Sequence, residues 1–305
     1  MRVSLLPSIH GNSFVLRILD PQKGIIPVKD LGIPKNILEN IAHTLSFHEG
    51  MMLLSGPTGS GKTSTLYSFL EVLNKPQKKI ITLEDPVEYE IPGIIQCDIS
   101  KNDKLTFESG LHASLRHDPD IMMVGEIRDE QVAHIALQAS MTGHFVLSTI
   151  HANSALDTIT RLRDLGMKNN LLSASLKTIM NQRLIRTICP ECTTEKKRNT
   201  FEYEELQQAS KKLRAAGIDV AEPSKDKKYG AGCENCQHTG YKGRRLIAES
   251  LHFSSAIQSL IASNASDTEL MIQAQKEGFL SLKDHAFLLV LQGETNMEEV
   301  LRVIS

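Results

Sequence analysis

The chain has 305 residues, yet no apolar run approaches the roughly 18–20 residues that a membrane-spanning helix needs. A helical membrane span is therefore not expected. Met1-Arg2-Val3-Ser4-Leu5-Leu6-Pro7 lacks the apolar core of an export signal. An excess of one charge is also missing: 34 Lys plus Arg face 36 Asp plus Glu, a net charge of −2. That balance speaks against bulk electrostatic attraction to nucleic acid or acidic lipid. No stretch interleaves aromatic and basic side chains as a groove for single strands would. Internal repeats and low-complexity segments are absent. With 41% apolar and 23% charged residues, disorder as the main state is excluded. A chain of this length buries about three-quarters of its unfolded surface, and folds without a staple. Cysteines number only five, four of them in two Cys-x-x-Cys pairs.

What is present reads as about two domains. Phe14, Leu16 and Ile18 alternate weakly with Ser13, Val15 and Arg17, which predicts one or two strands within 1–20. Pro21-Gln22-Lys23-Gly24 and Ile26-Pro27 break regular structure, so 21–30 reads as a linker. From 31 to 187, four apolar runs alternate with helix-like stretches: Met51-Met52-Leu53-Leu54, Ile80-Ile81-Thr82-Leu83, Ile121-Met122-Met123-Val124 and Phe145-Val146-Leu147. Short runs that are apolar on both faces are the mark of buried parallel strands, and their alternation with helices predicts an α/β domain. Residues 188–246 hold both cysteine pairs around a charged stretch at 201–216, expected to be a helix. The remainder, 247–305, is read as a helical region. Ser266-x-x-Glu269 and Thr295-x-x-Glu298 look like capping boxes, and Gly278 and Gly293 look like stops.

Gly56-Pro57-Thr58-Gly59-Ser60-Gly61-Lys62-Thr63 fits the phosphate-loop pattern in full, between an apolar run and a stretch compatible with a helix (63–73). The glycines let backbone N–H groups turn inward around a β-phosphate, and the helix N-terminus adds positive potential. Lys62 is expected to bridge the β- and γ-phosphates and Thr63 to hold Mg²⁺. Ligands of open α/β sheets bind beyond the carboxyl ends of the strands. There the sequence places Glu84-Asp85 with Glu88, Gly125-Glu126 with Arg128, and His151. Glu126 has the position of a Walker B acid, and Glu84 is a second acid able to orient a water. Their division of labour is left open. His151 is expected to sense the γ-phosphate.

Cys189, Cys192, Cys233 and Cys236 supply four thiolates, enough for a tetrahedral Zn²⁺ site. The 40 residues between the pairs exceed the usual spacing, so the charged helix is expected to loop out from the site. Cys97 is unpaired and reads as a small buried hydrophobe.

Nearly the whole chain resembles a secretion ATPase of the type II secretion / type IV pilus assembly family. The resemblance rests on 56–65 (Walker A, including Ser64), Ile81-Thr82-Leu83-Glu84-Asp85-Pro86-Val87-Glu88 (Asp box) and 118–129 (Walker B). It also rests on 142–151 (His box), Gln182-Arg183-Leu184, the tetracysteine element, Gly240-Tyr241-Lys242-Gly243-Arg244 and Glu298-Glu299-Val300-Leu301-Arg302. It implies a RecA-like P-loop core with a parallel sheet, a small zinc element and a helical C-terminal region. It also implies a cytoplasmic, hexameric, Mg-ATP-dependent motor that acts through inner-membrane platform proteins and binds no nucleic acid. Arg2 and Arg17 match arginines of the preceding domain that complete the active site, and 1–20 would be the end of that domain. Family members usually carry a longer N-terminal region. Asn12 stands where Glu is usual, His112 for Arg, His117 for Gln and Ser154 for an acid. Other readings are a small-molecule kinase with a zinc lid, a nucleic-acid translocase and a non-hydrolysing nucleotide switch. Kinase lids interrupt the core, whereas these cysteines follow its last apolar run.

Overall fold

The computed structural model describes residues 2–17, 25–101 and 105–304, and only the backbone of Arg2 and Arg17. A hairpin comes first: β1 (Arg2–Ser8) and β2 (Gly11–Arg17) pair antiparallel from Arg2↔Arg17 to Ser8↔Gly11. The expected alternation follows as α1 (Lys35–Leu45), β3 (Gly50–Ser55), α2 (Lys62–Leu73), β4 (Ile80–Glu84), β5 (Ile95–Asp98) and α3 (Phe107–Leu115). It continues with β6 (Ile121–Val124), α4 (Glu130–Ala139), β7 (Phe145–Ile150), α5 (Ala155–Asp164) and α6 (Asn169–Ser175). The chain closes through β8 (Leu176–Ile188), β9 (Thr193–Lys197), α7 (Thr200–Ala215), β10 (Asp226–Gly230) and β11 (Tyr241–His252). Four helices end it: α8 (Ser255–Ala262), α9 (Asp267–Lys276), α10 (Leu282–Leu291) and α11 (Met297–Ile304).

Seven strands form one sheet in the order β11-β8-β3-β7-β6-β4-β5. All neighbours from β8 to β5 are parallel, and β11 lies antiparallel on β8. Each of the four apolar runs is a fully buried strand. The two-residue period of a strand sorts their side chains between two cores. Met51 and Leu53 pack with Leu111, Val132, Ile159 and Leu172 on one face, while Met52 and Leu54 pack with Ile41, Leu66, Phe69 and Leu70 on the other.

One expectation about order is overturned. The cysteines do not follow the last strand of the core; they are inserted between β8 and β11, which both belong to its sheet. The boundary expected at 246/247 falls inside β11. This strand escaped notice because Glu249 and Ser250 interrupt its apolar residues, although both are buried. Pairing of β8 with β3 ends at Ser55↔Asn181, but β8 runs on to Ile188 and β11 stays beside it as far as Tyr241. The two strands thus rise as a ribbon past the carboxyl edge of the sheet. Helix α7 packs through Leu206 and Ala209 against Ala286, Phe287 and Val290 of α10. Helices α8 and α9 share the first core through Ile257, Ile261, Leu270 and Ala274.

Ser266 caps α9 with Glu269 returning the bond, as expected. The second expected box is not one. Asn296, not Thr295, accepts the Glu299 N–H at 2.9 Å, and the Thr295 hydroxyl donates instead to Arg186 O. Cys97 is half-buried on β5 rather than fully buried.

Candidate functional site

The carboxyl ends of β3, β4, β6 and β7 converge on one cavity of about 990 Å³, lined among others by Lys62, Glu84, Glu126 and His151. The phosphate loop leaves β3 at Gly56, whose φ is +141°. A Cβ there would meet Gln182 O at 2.3 Å, so the close approach of β8 demands glycine. Gly61, left-handed at φ +87°, turns the chain into α2. Gln182 Nε2 donates to Ser60 O at 2.8 Å and ties the loop to the foot of the ribbon. The Lys62 ammonium lies within the loop, donating to Gly56 O at 2.8 Å and Pro57 O at 3.2 Å. Burial pulls its pKa below the ordinary value, and the Glu126 carboxylate opposes that pull.

Glu126 follows β6 in a turn pinned to β7. Ser148 Oγ donates to Val124 O at 2.7 Å, Thr149 Oγ1 to Gly125 O at 2.8 Å and Ile127 N to Thr149 O at 2.8 Å. One carboxylate oxygen pairs with the Arg128 guanidinium, and the other lies 3.5 Å from His151 Nε2. Arg128 also reaches Asp85 at 3.6 Å. Its pKa is raised by the hydrogen bond to Glu126, and the charges of Glu126 and Asp85 add to the effect. Asp129 then starts α4 by accepting the Val132 N–H at 2.9 Å.

Glu84, at the tip of β4, is only 2% exposed although it borders the same cavity. Its Oε1 accepts from Thr82 Oγ1 at 2.5 Å and Gln96 Nε2 at 3.1 Å, and its Oε2 accepts from Tyr67. The structure thus brings together Lys62, Thr63, Glu84, Glu126 and His151 from four separate segments. It does so because parallel strands end on the same edge.

The family model described as "Type II/IV secretion system protein" matches residues 1–302. The chain belongs to this family. Type II secretion system protein E of Pseudomonas aeruginosa is 43% identical over 99% of the chain and 58% of its own length. The type IV pilus assembly ATPase PilB of Thermus thermophilus is 41% identical over 99% of the chain and 33% of its own length. The chain therefore spans less than two-thirds of these relatives. Among solved structures, the pilus retraction motor PilT with bound ADP is 27% identical, with a TM-score of 0.70 over 98% of the chain and 72% of PilT.

The secretion-family chain also carries its cysteine element as four convergent sulfurs, all within 4.8 Å of one another. Cys189–Cys233, Cys192–Cys236 and Cys233–Cys236 are 3.9, 3.8 and 3.7 Å apart. A tetrahedral zinc with bonds near 2.3 Å needs sulfur–sulfur edges of about 3.8 Å, so the set fits that ion. Backbone N–H groups of Cys233 and Gly240 bring the Cys236 thiol down to about 6, which favours a thiolate at neutral pH. Burial pushes Cys192 up to about 12 among its sulfur neighbours, a penalty that a divalent cation would remove.

Three features of the family chain's site escaped sequence reasoning. Arg161 of α5 and Arg244 of β11 line the cavity, and Tyr67 holds Glu84. The Gly243-Arg244 pair was visible, but only the β8–β11 ribbon brings Arg244 to the cavity that the phosphate loop also lines. Nothing in the sequence links Tyr67 with Glu84. The side chains of Arg2 and Arg17 lie outside the described residues. Among the described residues, no helix is long and apolar enough to cross a membrane.

Proposed function

We propose that the chain is the Mg-ATP-hydrolysing portion of a motor that drives pseudopilus or pilus assembly, or protein export. The observation that carries this is a complete phosphate loop facing two acids and an imidazole across one cavity. Identity of about 40% to a secretion protein E and a pilus assembly ATPase supports it.

In this reading the backbone N–H groups of 56–64 cradle the phosphates, and Lys62 leaves its two carbonyl partners to bind the β- and γ-oxygens. Thr63 would hold Mg²⁺, which when bound supplies charge neutralisation on the phosphates. Glu84 orients and deprotonates the attacking water. Glu126, tethered to Arg128 and close to His151, keeps the imidazole facing the γ-phosphate position. Arg2 and Arg17 would neutralise charge that develops on the γ-phosphate. The four cysteines would hold a structural zinc at the tip of the ribbon. The chain would work as a hexamer, recruited in the cytoplasm to inner-membrane platform proteins.

The test is phosphate release from Mg-ATP, measured with molecular mass by light scattering. Turnover should rise with oligomer concentration. Lys62→Ala and Glu126→Gln should each lower it on the order of tenfold or more, about 1.4 kcal/mol per factor of ten. Undiminished turnover in both variants would refute the reading.

A further inference from the structure

We infer that Tyr67 and Gln96 are positioning residues that aim the Glu84 carboxylate at the nucleophilic water of ATP hydrolysis. The inference rests on the ATPase reading above and deepens it, by naming what makes a buried acid a directional base.

A carboxylate has about four acceptor positions. Among the described residues, three of those on Glu84 are taken: two on Oε1 by Thr82 and Gln96, and one on Oε2 by Tyr67. The fourth, on Oε2, is left for a water, and Glu84 borders the cavity that would supply one. The donors cannot exchange roles. Tyr67 is 1% exposed, and burial together with Glu84 holds its phenol above the ordinary value, so it stays protonated and donates. Its oxygen meanwhile accepts the Glu88 N–H at 3.2 Å. Gln96 is equally committed. Its Oε1 accepts Ile91 N at 2.6 Å, and its amide N–H groups go to Tyr89 O at 3.0 Å and to Glu84. A flipped amide would set oxygen against a carboxylate and nitrogen against an N–H. The segment after β4 is therefore stitched back onto the carboxylate that ends β4, at Glu88 through Tyr67 and at Tyr89 and Ile91 through Gln96.

Tyr67 also sits on α2, the helix that opens with Lys62 and Thr63. One rigid element thus sets both the phosphate ligands and the orientation of the acid. Binding would be largely indifferent to the phenol, whereas the geometry of attack would depend on it.

The experiment is a double-mutant cycle on Mg-ATP hydrolysis with Tyr67→Phe, Gln96→Met and Glu84→Gln. Tyr67→Phe keeps the buried ring and Gln96→Met keeps the length; each removes one donor to Glu84, and the first also frees the Glu88 N–H while the second frees Tyr89 O and Ile91 N. Each should lower kcat about tenfold or more, with KM for Mg-ATP within about twofold; the freed backbone groups should also lower the melting temperature, more in Gln96→Met than in Tyr67→Phe. Added to Glu84→Gln, each should cost less than about a further twofold, because there is no longer a carboxyl base to aim. Fully additive losses, a loss confined to KM, or unaltered kcat in both donor variants would overturn the inference. Unaltered kcat in Glu84→Gln itself would remove the proposed role of Glu84, and this inference with it. An impaired Glu84→Gln beside unimpaired donor variants would sink this inference alone.

Discussion

Replacing Glu299 by Gln tests how the C-terminal helices are fastened to the ribbon that walls the nucleotide cavity. Glu299 of α11 is 1% exposed and accepts five hydrogen bonds. Arg186 of β8 provides three through N, Nε and Nη2, at 2.9, 3.0 and 2.6 Å. Arg302 provides two, at 2.7 and 2.6 Å. Burial alone would raise the carboxyl pKa, but the guanidinium groups of Arg302 and Arg186 overrule it and hold it at about 2. Against an ordinary value of 4.5, that corresponds to ~3 kcal/mol at neutral pH. The two arginine side chains are 40% and 54% exposed, so screening reduces the figure to about 2 kcal/mol. In a cooperative unit of roughly 150–250 residues that is a fall in melting temperature of about 4–8 °C.

The sign of the pH dependence follows from the depressed value. The stabilisation is present above pH 4.5 and is lost as pH falls through about 2. Thermal unfolding of wild type and Glu299→Gln should differ most at pH 7, and the gap should narrow steadily below pH 4.5. ADP affinity should be unchanged, because Glu299 does not line the cavity. An equal gap at pH 7 and pH 3, or no gap at pH 7, would refute the reasoning.

Other outcomes follow from close contacts. Gly56→Ala should weaken nucleotide binding tenfold or more in a fluorescent-nucleotide titration, since its Cβ would lie 2.3 Å from Gln182 O; Gly59→Ala, with open space around its Cβ but φ +80°, should cost less. The wild type should carry one zinc by elemental analysis, and Cys236→Ser should bind it far more weakly while keeping ADP binding. A folded, zinc-free wild type whose four thiols react freely would count against the metal site.

Local chemistry was written plainly in the chain. The phosphate loop, the four apolar runs and the acids after them depend on neighbours within a few residues, and each appears in the structure where its pattern put it. Both cysteine pairs were equally legible, because two thiols separated by two residues converge through local geometry. The two strands at the β11 end of the sheet were not legible in the same way. In β8, Thr178, Asn181 and Gln182 are fully buried polar residues, and in β11 Glu249 is a buried acid. Such residues read as surface until their partners are known. Asn181 is used by Ser55 and Ala152 O, Gln182 by Ser60 O, and Glu249 by the first N–H groups of α5 and α10.

The residues themselves therefore determined that this protein has a nucleotide cradle, which acids accompany it and that four sulfurs stand ready for a metal. Tertiary structure alone decided that Tyr67 and Gln96 grip Glu84, that Arg244 lines the same cavity as the phosphate loop and that the cysteines interrupt the sheet rather than follow it. The reason is physical. A turn or a strand is specified by conformational preferences over a few bonds, whereas a hydrogen bond between distant segments exists only after strand order has made them neighbours.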